Sequence, residues 1–181
     1  MVLMVHGSVL DQRVDAIVNA ANSTLMGGGG VDGAIHRAAG PRLLEECKRL
    51  GGCPTGEARV TGAYDIAGVR HVVHTVGPVY DERRDGRCAS LLASCYRESC
   101  EAALGVGDRS IAFPAISCGV YGYPLEDAVE VSVDALRPYA ERFDRIVLAM
   151  FGLGEYRRAT KVARELVPCR EQPDGLELEL P

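Results

Sequence analysis

Short runs of aliphatic and β-branched residues, several apolar almost throughout, limit the folds open to this chain more than any other feature of its sequence. Met1–His6, Ala16–Asn19, Ala58–Ala63, Arg70–Val76, Ser110–Pro114 and Arg145–Phe151 read as strands. A strand with one wet face alternates polar and apolar residues, whereas one that stays apolar is covered on both faces. Between these runs lie stretches with helical periodicity: Val31–Ala39, Pro41–Leu50, Cys88–Leu104, Pro124–Ala140 and Glu155–Leu166. Pro41 and Pro124 suit the first turns of their helices, and Pro138 kinks or ends the fourth. Buried strands alternating with helices imply an α/β fold in which helices sandwich a sheet.

The 181 residues suffice for one domain with a sizeable core. A net charge of −5 argues against broad nucleic-acid or membrane-surface binding, although a local basic patch stays open. No apolar run approaches the roughly 20 residues that cross a bilayer. The start, MVLMVHGSVLD, lacks the charged flank and cleavage site of a secretion signal, so a cytoplasmic protein is expected. The seven cysteines form no CxxC pair, and the odd count speaks against a disulfide framework. Cys88 and Cys95 recur at helical spacing with Leu91, Leu92 and Ala102, which makes them small core residues. Cys47, Cys53 and Cys118 are less clear, but none has a His nearby at zinc spacing. Tyr80–Gly86 reads as a solvated loop. The last segment, 171–181, is expected to be loosely ordered, with a weak edge strand through Leu176, Leu178 and Leu180 as the other option.

Four consecutive glycines, Gly27–Gly30, stand between a strand and a helix. Backbone without side chains approaches an anion closely, and the N–H groups at a helix start point toward it. The helix dipole adds roughly 0.3–1 kcal/mol for an exposed anion. A plain flexible turn does not require four glycines, which favours a diphosphate site. The spacing matches neither GxGxxG nor GxxxxGK[ST]. A second loop, Ala115–Pro124 (AISCGVYGYP), also joins a strand to a helix with small residues. By itself it reads equally as an ordinary turn, but ligands of open α/β sheets bind beyond the carboxyl ends of strands, where two such loops clamp one diphosphate.

Asp32 and His36 are four residues apart and share one helix face beside the stripe of Val31, Ile35 and Ala38. Asp32 is either a first-turn dipole partner or a group that holds a polarised water or a ribose hydroxyl. For His36 a structural role, orienting Asp32 or the loop, is favoured. Asn19 and Asn22 offer amides suited to sugar hydroxyls or to turns. Asn19 is expected to tie backbone and Asn22 to face the ligand.

DAIVNAANSTLMGGGGVDGAIHRAAG, GCPTGEARVTGAY, HVVHTVGP and FPAISCGVYGYP follow one another in this order. Together they resemble the macrodomain family, over about residues 2–167, and within it the MacroD-type ADP-ribosyl hydrolases. The resemblance implies a three-layer α/β/α sandwich with a central mixed sheet of about six strands, spanning residues 1–170. It implies ADP-ribose as ligand and ADP-ribosylated proteins as partners, acting as a monomer with no cofactor and no metal. The implied reaction removes mono-ADP-ribose from acidic side chains and deacetylates O-acetyl-ADP-ribose. By the same resemblance Asn22, Asp32 and His36 are the catalytic group: Asn22 at the distal ribose, Asp32 activating water or positioning the ribose, His36 in support. Ser8, Val9 and Ala21 join the ligand site. Gly28, Gly29, Gly30 and Val31 match the first diphosphate loop. Ser117, Cys118, Gly119, Val120 and Tyr121 match the second, with Tyr121 bordering the distal ribose. Phe151 matches an aromatic on the adenosine side, or else fills core at a strand end.

Two departures stand out. The family usually reads Gly-Asp-Ile near its start, and that Asp binds the adenine amino group; here the stretch is Gly7-Ser8-Val9. Losing a charge-assisted bond costs roughly 1.5–3 kcal/mol, less what Ser8 or water recovers. This bears on adenine selectivity and not on chemistry at the far ribose. Cys118 replaces the usual Thr, a mild change if its backbone N–H binds phosphate. Three other functions stay open: an ADP-ribose reader without catalysis, an ADP-ribose-1″-phosphate phosphatase, and, weakest, a zinc-dependent variant built on the thiols.

Overall fold

A computed structural model describes residues 1–180; Pro181, the last residue of the tail, lies outside the described residues. In chain order the strands are β1 (Val2–His6), β2 (Ala16–Ala20), β3 (Ala58–Gly62), β4 (His71–Thr75), β5 (Ser110–Phe113), β6 (Arg145–Met150), β7 (Cys169–Gln172) and β8 (Gly175–Leu178). The helices are α1 (Gly30–Ala39), α2 (Pro41–Leu50), α3 (Asp85–Gly105), α4 (Leu125–Leu136) and α5 (Leu153–Leu166). The strands all join one mixed sheet of order β3-β4-β2-β5-β6-β1-β8-β7. The centre, β4-β2-β5-β6-β1, is parallel; β3 and the β7–β8 hairpin run antiparallel at the edges.

Period-two alternation within the apolar strands feeds two cores. Val2 and Met4 of β1, Val18 of β2 and Phe113 of β5 point to one face. There they meet Leu92 and Cys95 of α3, Val129 and Val133 of α4 and Ala159 and Ala163 of α5. Leu3, Val5, Ile17 and Ala112 point to the other face, against Ile35 of α1 and Leu43 and Cys47 of α2. The result is three layers, and each central strand is covered twice. Cys88 and Cys95 are buried core residues, and so are Cys47 and Cys53.

The sheet has eight strands rather than six because the C-terminal segment is not loose. Leu176 and Leu178 stand opposite Met4 and Val2, and both are buried, while Glu177 points away from the core. Every second residue of the segment is leucine, so one face of the hairpin completes the apolar surface beside β1 and covers its free edge. Helix limits differ in small ways. α3 begins at Asp85, so the predicted loop from Tyr80 gives way to a 3₁₀ turn at Glu82–Arg84, capped by the Asp81 side chain. Pro124 is the N-cap of α4, one position before its first turn. α4 stops at Leu136, and Pro138 sits in a separate 3₁₀ turn, ending the helix rather than kinking it.

Candidate functional site

Five central strands release their chains at the same rim, and the loops that follow β1, β2, β4, β5 and β6 surround a cleft of about 760 Å³. This is the carboxyl end of the parallel block, where open α/β sheets bind ligands. Ser8, Val9, Ala21, Asn22, Gly28, Gly29, Gly30, Val31, Asp32, Ser117, Cys118, Gly119, Val120, Tyr121 and Phe151 all line it. His36 stands behind this wall, its ring packed under Gly27.

The first wall is the β2–α1 loop. Asn22 organises it: its Oδ1 accepts from the Thr24 amide at 3.1 Å and hydroxyl at 2.6 Å, and its Nδ2 donates to the Gly27 carbonyl at 3.0 Å. The amides of Gly28 to Val31 then have no partner among the described residues, and no side chain caps α1. Gly28 has a steric reason to be glycine: a Cβ there would stand 3.2 Å from Asp32 Oδ2 and 3.6 Å from Asn22 Nδ2. The second wall is the β5–α4 loop. Its Ser117 adopts a left-handed conformation (φ 64°), and its buried hydroxyl lacks a partner among the described residues. A Cβ on Gly77, at the start of the loop after β4, would collide with that hydroxyl, so glycine lets the two loops meet. The Cys118 amide is already given to the Ala115 carbonyl at 3.2 Å. The amides of Gly119, Val120 and Tyr121 donate to no backbone carbonyl among the described residues, so these, and not the Cys118 amide, are unpaired at the cleft. Burial pushes the Cys118 thiol up to about 12, which leaves it protonated at neutral pH.

Asp32 is only 4% exposed, yet it lines the cleft. Its Oδ1 accepts from Asn19 Nδ2 at 2.8 Å and lies 3.4 Å from His36 Nε2, while Oδ2 is next to Gly28. Asn19 does not tie backbone as expected but holds a carboxylate in a dry layer, while Asn22, which lines the cleft, is the one that also ties backbone. Asn19 lies inside β2, where strand parity aims its side chain at the α1 layer; Asn22 lies past the strand end, where the chain turns. Behind Asn19, His74 of β4 sits 3.2 Å from the same Nδ2 through its Nδ1, and 2.9 Å from the Thr61 hydroxyl through its Nε2. Asn19 and His74 are completely buried. Burial, and the neighbouring His36, push the His74 imidazole down to about 3, so it is neutral.

At the opposite end Ser8 caps a 3₁₀ turn. Its Oγ accepts from the Leu10 amide at 3.1 Å, and its own amide donates to Asp11 Oδ2 at 3.1 Å. Phe151 is 80% exposed, which excludes the role of core filler. Arg37, Gly77 and Glu155 also line the cleft and were not predicted from the sequence. For Arg37 a signal existed: Gly30, Gly33 and Arg37 recur at helical spacing on the loop-facing side of α1. Among the described residues no group of three or more His, Cys, Asp or Glu is placed to hold a metal ion, and no helix is long and apolar enough to cross a membrane.

Residues 18–132 match the model of the Macro domain. A Macro domain-containing protein of Methanosarcina mazei is 55% identical over 137 residues, which cover 76% of this chain and 72% of that protein. The ADP-ribose glycohydrolase MACROD2 of Mus musculus is 39% identical over 183 residues, covering 99% of this chain but only 38% of the mouse protein. Among solved structures, the Trypanosoma brucei macrodomain in complex with ADP-ribose superposes with a TM-score of 0.81 at 44% identity, covering 88% of this chain and 68% of that one.

Proposed function

The chain belongs to the Macro domain family, and from that membership and the geometry of its cleft we propose that it binds ADP-ribose and hydrolyses the ester linking ADP-ribose to acidic protein side chains. One observation carries the reading: a buried carboxylate, Asp32, borders a cleft between two loops of unpaired amides, with one oxygen held by Asn19 and the other beside Gly28. The relative named as an ADP-ribose glycohydrolase supports the hydrolytic half of the proposal. O-acetyl-ADP-ribose presents the same ester and is a second substrate in this reading.

The amides of Gly28–Val31 and Gly119–Tyr121 grip the diphosphate from two sides, at the N-terminus of α1. Phe151 stacks on the base with its exposed ring, and the cap at Ser8 borders the same end. With the diphosphate fixed, the distal ribose lies against Asn22 and Asp32. Asp32 Oδ2 holds a water, which adds across the ester, breaks its C–O bond and frees a carboxylic acid and ADP-ribose. Positioning of this kind supplies up to roughly 7–11 kcal/mol of a barrier. His36, packed under Gly27 and next to Asp32 Oδ1, keeps the loop and carboxylate together.

The test is release of ADP-ribose from glutamate-modified protein by the wild type and by Asp32→Ala. Turnover by the wild type and its loss in the variant, with ADP-ribose affinity kept by calorimetry, is the expected result. Full turnover by Asp32→Ala overturns the assignment; binding without any wild-type turnover identifies a reader instead.

A further inference from the structure

We propose that His74 is a positioning residue for Asp32: its Nδ1 holds the Asn19 amide in the one orientation that presents N–H to the carboxylate. This deepens the proposed function and rests on Asp32 being the group that holds the attacking water.

The argument is a hydrogen inventory. Asn19 Nδ2 lies 2.8 Å from Asp32 Oδ1 and 3.2 Å from His74 Nδ1. An amide nitrogen carries two hydrogens, one for each neighbour, provided both accept. His74 Nδ1 accepts only if the ring hydrogen is on Nε2. Thr61 fits that tautomer. Its hydroxyl hydrogen goes to the Gly62 carbonyl at 3.1 Å, so its oxygen is free to accept from His74 Nε2 at 2.9 Å. Every donor from Gly62 to Asp32 is then assigned. Cys47 Sγ, 3.8 Å from Nε2, is the other sulfur or oxygen partner of that nitrogen, and burial pushes its thiol up to about 11, so it brings no charge.

The alternative fails on charge. With the hydrogen on Nδ1, His74 requires an acceptor, and Asn19 must turn its oxygen toward it. That oxygen then faces Asp32 Oδ1 in a layer where Asn19 and His74 are completely buried and Asp32 is nearly so. Two oxygens in that contact repel, so that orientation of the amide no longer holds the carboxylate. His74 therefore sets the direction of a carboxylate it does not touch.

Two variants and one spectrum test this. His74→Leu keeps apolar bulk but removes the acceptor; His74→Asn places an amide oxygen where Nδ1 was. For His74→Leu, kcat falls up to about 100-fold, the scale of a small misplacement of a reacting group, while KM stays within about twofold. His74→Asn recovers most of kcat. Equal losses in both variants, or losses that track ADP-ribose affinity, overturn the proposal. The third arm needs no turnover and no variant that folds: the ring nitrogens of wild-type His74, read by long-range ¹H–¹⁵N spectra. A protonated Nε2 and bare Nδ1 support the proposal, and the opposite tautomer overturns it. Should the wild type not turn over, the functional reading fails while the tautomer still decides the network.

Discussion

At the residue scale, the site depends on what is missing from Gly28 and on what is buried at His74. A side chain at Gly28 would enter the gap between Asp32 Oδ2 and Asn22 Nδ2. Gly28→Val therefore lowers ADP-ribose affinity about tenfold or more, about 1.4 kcal/mol, by calorimetry, while the thermal midpoint stays near that of the wild type, since the residue is exposed. His74 makes a prediction about stability. Its folded pKa, about 3, lies below the ordinary histidine value of 6.5, so below pH 6.5 the unfolded chain binds a proton that the folded chain refuses. The contribution of neutral His74 is complete above pH 6.5 and lost as pH falls toward 3. Urea unfolding at pH 7, 5.5 and 4.5 measures it: His74→Leu has a flatter dependence on pH over this window than the wild type. Equal slopes would show that His74 is not held neutral.

At the element scale, most of the layout was legible locally. The six expected strands and five expected helices are all present, within a few residues of the expected ends. A period of two or of 3.6 is written into neighbouring residues and needs no knowledge of the partner. The hairpin of β7 and β8 was less legible because its partner, β1, lies at the other end of the chain. Its leucines do structural work there. Leu176, completely buried opposite Met4, loses about 2–5 kcal/mol of stability when cut to Ala, the usual range for a large-to-small core change. The urea midpoint of Leu176→Ala measures this, and a change near zero would mean that the hairpin does not dock in solution.

At the scale of the whole molecule, the ligand of the proposed function bridges loops that follow different strands, so its binding would be felt by the entire fold. ADP-ribose at about 100 times its Kd adds about 2.7 kcal/mol to unfolding free energy. AMP, which has one phosphate and no distal ribose, adds less at the same concentration. Equal protection by the two nucleotides in a thermal melt would mean that the loops do not share a diphosphate. The amino-acid sequence by itself determined the strands, the helices, the two glycine-bearing loops and most of the residues that line the cleft, Arg37, Gly77 and Glu155 excepted, because each follows from local period, turn chemistry or motif. Tertiary structure alone decided that Asn19 and not Asn22 grips Asp32, that His74 and Thr61 stand behind it, and that the last residues close the sheet. Those are choices of partner: they depend on which strands become neighbours and which way each side chain faces, and that is settled only when β4 is laid beside β2 and β8 beside β1.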